Sequence, residues 1–238
     1  MTRKDAIKFV AVRSLGNFLL LLSLYGVGAT FGPVLSSEVK FRIAQARGVH
    51  FQVANTANRT RTPASQAGSA KVISEPGFSD VITGSKEQVL IPKDTQFSIV
   101  IPKIGASSKV YPNVDPTNEN EFLNVLSHGV AHAKGSVFPG LLGNVYLFAH
   151  SADNWWDVGR YNAVFYLLKD LSQGDQIVVF FENRRYEYVV SQKVILDPSD
   201  TSLITDTQRS QQRLILQTCW PPGTTWKRLY IIGEPKKV

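Results

Sequence analysis

The pattern of apolar and polar positions divides the chain into three regimes. Residues 15–31 read LGNFLLLLSLYGVGATF, and no charge occurs from Ser14 to Ser37. Such a run is about long enough to cross a bilayer as a helix. A cleaved signal peptide is the rival reading, with Leu19–Leu24 as its apolar core and Val27-Gly28-Ala29 as its cleavage site. The apolar run continues past that point, which favours a retained anchor over residues 14–35, behind a basic tail over 1–13. Residues 36–90 read as a flexible leash. From Asn55 to Ser85 they are rich in Ser, Thr, Ala and Gly, so they offer little apolar surface to offset the entropy of ordering.

From about Val89 the period changes. Short β-rich runs recur between turn residues: Phe97–Ile101, Asn144–Phe148, Gln176–Phe181, Tyr186–Leu196, Arg213–Thr218 and Arg228–Ile232. A turn is expected near Glu182-Asn183-Arg184. One helix is predicted over 161–171, where Val164, Phe165, Leu167, Leu168 and Leu171 approximate a 3.6-residue period. This pattern predicts a mostly-β barrel or sandwich over residues 91–238.

Charge sharpens the division. The net charge is +7, and residues 1–61 hold nine Lys/Arg against Asp5 and Glu38. Residues 62–238 hold 17 basic and 17 acidic side chains. A balanced folded part argues against nucleic-acid binding, which needs a basic face. Basic residues flanking an apolar run suit anionic headgroups instead. Arg3, Lys4, Lys8 and Arg13 precede the run; Lys40, Arg42 and Arg47 follow it. The positive-inside rule then gives a slight vote for a cytoplasmic N-terminus.

The chain has one cysteine, Cys219, so no internal disulfide forms. It ends a strand, and Trp220-Pro221-Pro222-Gly223 cannot continue a central strand. The thiol is either a buried small hydrophobe at the barrel rim or a reactive nucleophile at a strand mouth. Arg228 opens the next strand. In an antiparallel hairpin it would face Cys219, where it is either an ordinary rim charge or a donor to an oxyanion. His150 follows the strand Asn144–Phe148 and suits a proton shuttle. His128 and His132 are rivals in a loop-like, glycine-containing segment, and His50 lies in the leash. Gly129 and Gly135 speak against a helix that would present the two histidines to a metal, so neither metal nor cofactor is expected.

Taken together, Leu147-Phe-Ala-His150-Ser, Gly174-Asp175, Leu214-Ile-Leu-Gln-Thr-Cys219 and Arg228-Leu resemble the sortase family in order and spacing. Phe97-Ser-Ile-Val-Ile-Pro-Lys-Ile-Gly105 is similar to the opening strand of that family, and Val137-Phe-Pro-Gly140 to the lead-in to its histidine strand. The resemblance covers about Phe97 to Gly233. It departs at Ala149, where the family usually has Gly, and in the aromatic Asn154-Trp155-Trp156-Asp157.

The resemblance implies a closed β-barrel of about seven to eight strands with one or two short helices, behind a single transmembrane helix. It implies a cysteine transpeptidase. Cys219 is the expected nucleophile, His150 the acid/base group and Arg228 the oxyanion and positioning group, with Thr218 and Trp220 as substrate-binding residues. The implied substrate is a Leu-Pro-x-Thr-Gly-like sorting signal on a surface protein. The implied acceptor is an amine of a cell-wall precursor or a pilin lysine, and the implied location is the outer face of a cell membrane. An unrelated cysteine peptidase is the enzyme alternative. Papain-like chains place Cys before His, however, and here His150 precedes Cys219. Ser127-His128-Gly129 echoes the Ser-His-Gly-Cys motif of L,D-transpeptidases, but Val130 stands where that motif has Cys. The non-enzyme alternative is a membrane-tethered β-domain that binds a surface partner.

Overall fold

The computed structural model describes residues 3–54, 71–73, 76–151, 164–205 and 211–237. Helix α1 runs from Arg3 to Arg47. Within it Ile7–Gly28 is long and apolar enough to cross a membrane, and none of that stretch is buried against protein. The leash expected over 36–90 is structured in its described part. Helix α1 continues to Arg47, and its Phe41 and Ala44, one turn apart, are buried. Strands β1 (His50–Val53), β2 (Lys71–Ile73) and β3 (Glu87–Leu90) make a parallel sheet in the order β1-β3-β2. Helix α2 (Phe78–Thr83) lies between β2 and β3. These contacts are tertiary, which is why composition did not report them.

Eight further strands close a barrel. They are β4 (Phe97–Ile101), β5 (Ala106–Val114), β6 (Val130–Ala133), β7 (Gly143–Phe148), β8 (Gln176–Phe181), β9 (Arg184–Leu196), β10 (Gln212–Trp220) and β11 (Lys227–Pro235). Their order around the barrel is β4-β5-β6-β7-β10-β11-β9-β8. Closure leaves the barrel itself no free edge. Inward positions such as Ile99, Leu147, Leu214, Leu216 and Ile231 fill one core. Helix α3 (Glu119–Leu126) crosses between β5 and β6, and α4 (Ser202–Thr205) follows β9.

Local chemistry explains the turns. The expected turn after β8 is a two-residue hairpin, with Phe181 paired to Arg184 and positive φ at Glu182 (48°) and Asn183 (61°). That conformation matches the twist of the flanking strands. Gly174 enters β8 at φ 93°, a left-handed position that strains a residue with a Cβ. The helix predicted over 161–171 differs in its described part, where Tyr166–Asp170 is a 3-10 turn. Phe165, Leu168 and Leu171 are fully buried there, so their spacing reflects core packing in a tighter turn. Residues 161–163 and Asn154-Trp155-Trp156-Asp157 lie outside the described residues.

Candidate active site

The site grows out of the registers of β10. On one side β10 pairs antiparallel with β11, and Cys219 lies directly opposite Arg228. Directly opposed residues in such a pair project to the same face. On its other side β10 runs parallel to β7, with Gln217 level with Phe148. The chain after Phe148 stays clipped to β10. The Ala149 N–H donates to Gln217 O at 3.2 Å, and the Thr218 hydroxyl donates to Ala149 O at 2.9 Å. Two residues beyond Phe148, His150 is therefore held level with Cys219. Alternation supports this placement: Ala149 and Thr218 are buried, while His150 and Cys219 are half-buried.

Cys219, His150 and Arg228 line one groove of about 1150 Å³. Its floor is the outer face of β7 and β10, including Tyr146, Phe148 and Gln217. Phe122, Leu123 and Leu126 of α3 form part of its wall, and Leu141 and Leu142 stand where β7 begins. Phe122 packs edge-on against Phe148, with ring centroids 6.5 Å apart. Beyond Cys219 the β10–β11 loop contributes Gly223, Thr224 and Thr225.

The electrostatics are modest. Burial pushes the Cys219 thiol above its ordinary pKa, and the Arg228 charge pulls it partly back. The resting group at neutral pH is thus a thiol. Arg228 is half-buried and donates to Thr225 O at 3.1 Å and Lys227 O at 3.3 Å. Both bonds come from one nitrogen, and they aim the guanidinium along the loop beside the sulfur. Among the described residues no cluster of three His, Cys, Asp or Glu is placed to hold a metal ion.

The rival histidines fall elsewhere. His132 is fully buried, in β6 rather than in a loop. Its Nε2 donates to Val137 O at 3.1 Å, its Nδ1 accepts from the Asn113 N–H at 3.3 Å, and its ring stacks on Phe138. Burial holds its pKa below the ordinary histidine value, so it is a neutral core group. His128 is exposed beside Ser127, and His50 lies in β1, away from the groove. Thr218 lines the groove, but its hydroxyl is engaged with Ala149. Trp220 packs against the barrel core and is not among the groove-lining residues. It alternates to the opposite face from Cys219, the reason a neighbour in sequence is not a neighbour in the site.

Sequence reading missed the α3 wall and the polar floor. A signal existed for α3: Asn118 followed three residues later by Glu121 is an N-cap pattern, and the Asn118 side chain accepts from the Glu121 N–H. Gln217 was discoverable by period two from Cys219.

A closed β-barrel carrying a thiol, a guanidinium and an imidazole on one outer groove is the class of domain the structure defines. Within that class the match is specific: residues 99–236 fit the family model of the Sortase domain, and the chain belongs to the sortase family. Sortase D of Bacillus subtilis (strain 168) is 32% identical over 137 residues, a match covering 56% of this chain and 60% of that relative. The chain therefore spans less than two thirds of that relative's length. The crystal structure of sortase C-1 from Actinomyces oris superposes with TM-score 0.51 and 25% identity, over 61% of this chain and 77% of that one. The lid mutant of sortase A from Corynebacterium diphtheriae, 19% identical, shares the fold with TM-score 0.50 over 86% of this chain and 95% of its own.

Proposed function

We propose that this chain is a membrane-anchored cysteine transpeptidase. The observation that carries the reading is the convergence of Cys219, His150 and Arg228 on one groove long enough for an extended peptide. Membership of the sortase family supports it. The Cys219 sulfur attacks the scissile carbonyl carbon of a Leu-Pro-x-Thr-Gly-like signal. The thiol proton passes to His150, and the carbonyl oxygen becomes an oxyanion beside Arg228. His150 returns the proton to the leaving amine as the C–N bond breaks, which leaves a thioester. An acceptor amine of a cell-wall precursor or a pilin lysine then attacks. His150 takes its proton, the C–S bond breaks, and Cys219 regains a thiol.

A neutral thiol at rest fits this cycle, because the imidazole is needed to remove its proton. Residues 14–35 serve as the retained single-pass anchor behind the cytoplasmic tail 1–13, with the barrel 91–238 outside the membrane. The apolar stretch Ile7–Gly28 overlaps this anchor over residues 14–28 and supports a membrane-spanning helix there.

The test is incubation with a set of pentapeptide signals and an amine acceptor, comparing wild type with Cys219→Ala. Amine-dependent ligation by wild type, abolished in Cys219→Ala, is expected. A folded wild type with a free thiol that ligates no peptide overturns the reading.

A further inference from the structure

One rung below Cys219 the groove floor holds a polar chain of bonds. Gln217 and Tyr230 oppose each other across β10 and β11, two residues before Cys219 and two after Arg228. Tyr146 of β7 donates its hydroxyl proton to Gln217 Oε1. Tyr146 and Tyr230 are hydrogen-bonded to each other. Both tyrosines are buried and Gln217 is half-buried against the groove. Burial also holds both phenols above their ordinary pKa. The Tyr146 bond sets the carboxamide with its oxygen toward Tyr146. The two Nε2 hydrogens face away from that bond.

The spacing gives those donors a target. The groove runs along β7 and β10 from Leu141–Gly143 to Cys219, whereas β10 ends at Trp220. From Asn144 to the level of His150 is roughly 20 Å at about 3.3 Å per residue, room for about six extended residues. A peptide that lays its acyl part along this arm repeats every two residues, as β10 does. We infer that Gln217 is a substrate-positioning residue whose Nε2–H donates to a main-chain carbonyl of the bound peptide, two residues on the amino-terminal side of the scissile carbonyl. This contact reads backbone rather than side chain, and it sets the register that brings the scissile carbonyl to the sulfur. The inference rests on the transpeptidase reading.

The test pairs a protein change with a substrate change. Gln217→Met keeps the length and removes the donors. The peptide is the best signal of the pentapeptide set, compared with an analogue in which that one carbonyl is replaced by methylene. Gln217→Met on the parent peptide should raise peptide KM about tenfold, the worth of one lost hydrogen bond. It should leave kcat and the KM of the acceptor amine within about twofold. The analogue should cost wild type a similar factor and cost Gln217→Met little more. Tyr146→Phe, which leaves Gln217 intact but unoriented, should raise peptide KM by a smaller factor. Gln217→Glu, which keeps the acceptor for Tyr146, is the second variant should methionine disturb the floor. An unchanged KM in the Gln217 variants, or losses that simply multiply between protein and peptide, overturns the inference while wild-type ligation stands. Absence of wild-type ligation overturns the underlying reading with it.

Discussion

At the scale of single residues, the state of the sulfur decides how the site works. Cys219 is pushed up by burial and pulled down by Arg228, and burial is the stronger. In the proposed mechanism the imidazole of His150 takes the thiol proton during attack, which suits a thiol raised by burial. Two outcomes follow for Arg228→Ala. The guanidinium no longer stabilises the thiolate, so the pH midpoint for methanethiosulfonate or iodoacetamide labelling of Cys219 should rise above that of wild type. The oxyanion also loses its donor, and kcat/KM should fall by roughly 10²–10³, the loss seen when one such donor is removed. Labelling rate against pH measures the first and steady-state ligation the second. A labelling midpoint that falls or stays put would show that the arginine does not act on the sulfur. His132 shows the contrasting outcome for a titratable group: three polar contacts and an aromatic stack make it part of the core.

At the scale of elements, the site depends on how an irregular segment is pinned to a regular one. His150 lies past the last paired residue of β7, and the Thr218 hydroxyl on Ala149 O is one of two bonds that hold it level with Cys219. Thr218→Val keeps the branched shape and removes the hydroxyl, leaving a buried carbonyl with a lost partner. Stability should fall by roughly 1–3 kcal/mol. Ligation kcat should fall while peptide KM moves less, because the lost hydroxyl is the one that clips the segment carrying His150. Denaturant melts and a kcat/KM split measure both, and an unchanged kcat would show that the clip does not position the imidazole. The elements carrying this geometry were largely visible in advance. Short β-rich runs marked the strands of Cys219 and Arg228, and proline marked where the first of them stops. Two kinds of feature were not visible. The side of β10 on which Trp220 faces depends on barrel closure, and alternation then sends its ring to the core. The Tyr146–Gln217–Tyr230 chain joins three strands distant in sequence, so only the register between β7, β10 and β11 brings it together.

At the scale of the molecule, the barrel is not hung on a loose tether. Helix α1 leaves the proposed anchor at Leu35 and reaches Glu38 three residues later, roughly 5 Å of helix. There Lys169 bridges Glu38 at 2.7 Å and Asp170 at 2.9 Å, and Arg42 pairs with Glu38 at 2.9 Å. Phe41 and Ala44 are buried in the same interface, and Arg47 donates to Val81 O and Gly84 O of the α2 segment. The Lys169 bond holds the Glu38 carboxyl below its ordinary pKa. Burial works against the Lys169 charge, yet its bonds to Glu38 and Asp170 hold its pKa above the usual lysine value. A depressed carboxylate stabilises above its unfolded pKa and loses that contribution as pH falls through its folded pKa. A raised lysine stabilises below its unfolded pKa and loses that contribution as pH rises through its folded pKa. The docked helix should thus be most stable from about pH 5 to pH 10, given ordinary carboxylate and lysine values near 4.5 and 10.5. Lys169→Ala should weaken docking by roughly 1 kcal/mol, the scale of a half-exposed network. It should also flatten the acid side of the profile. Amide hydrogen exchange over residues 36–47 of the full chain in lipid nanodiscs reads this directly: protection should drop below pH 4.5 in wild type and be lower at pH 7 in Lys169→Ala. Equal protection in both proteins at pH 7 would mean that Phe41 and Ala44 alone hold the helix to the barrel. The charges would then do no more than solvate its face.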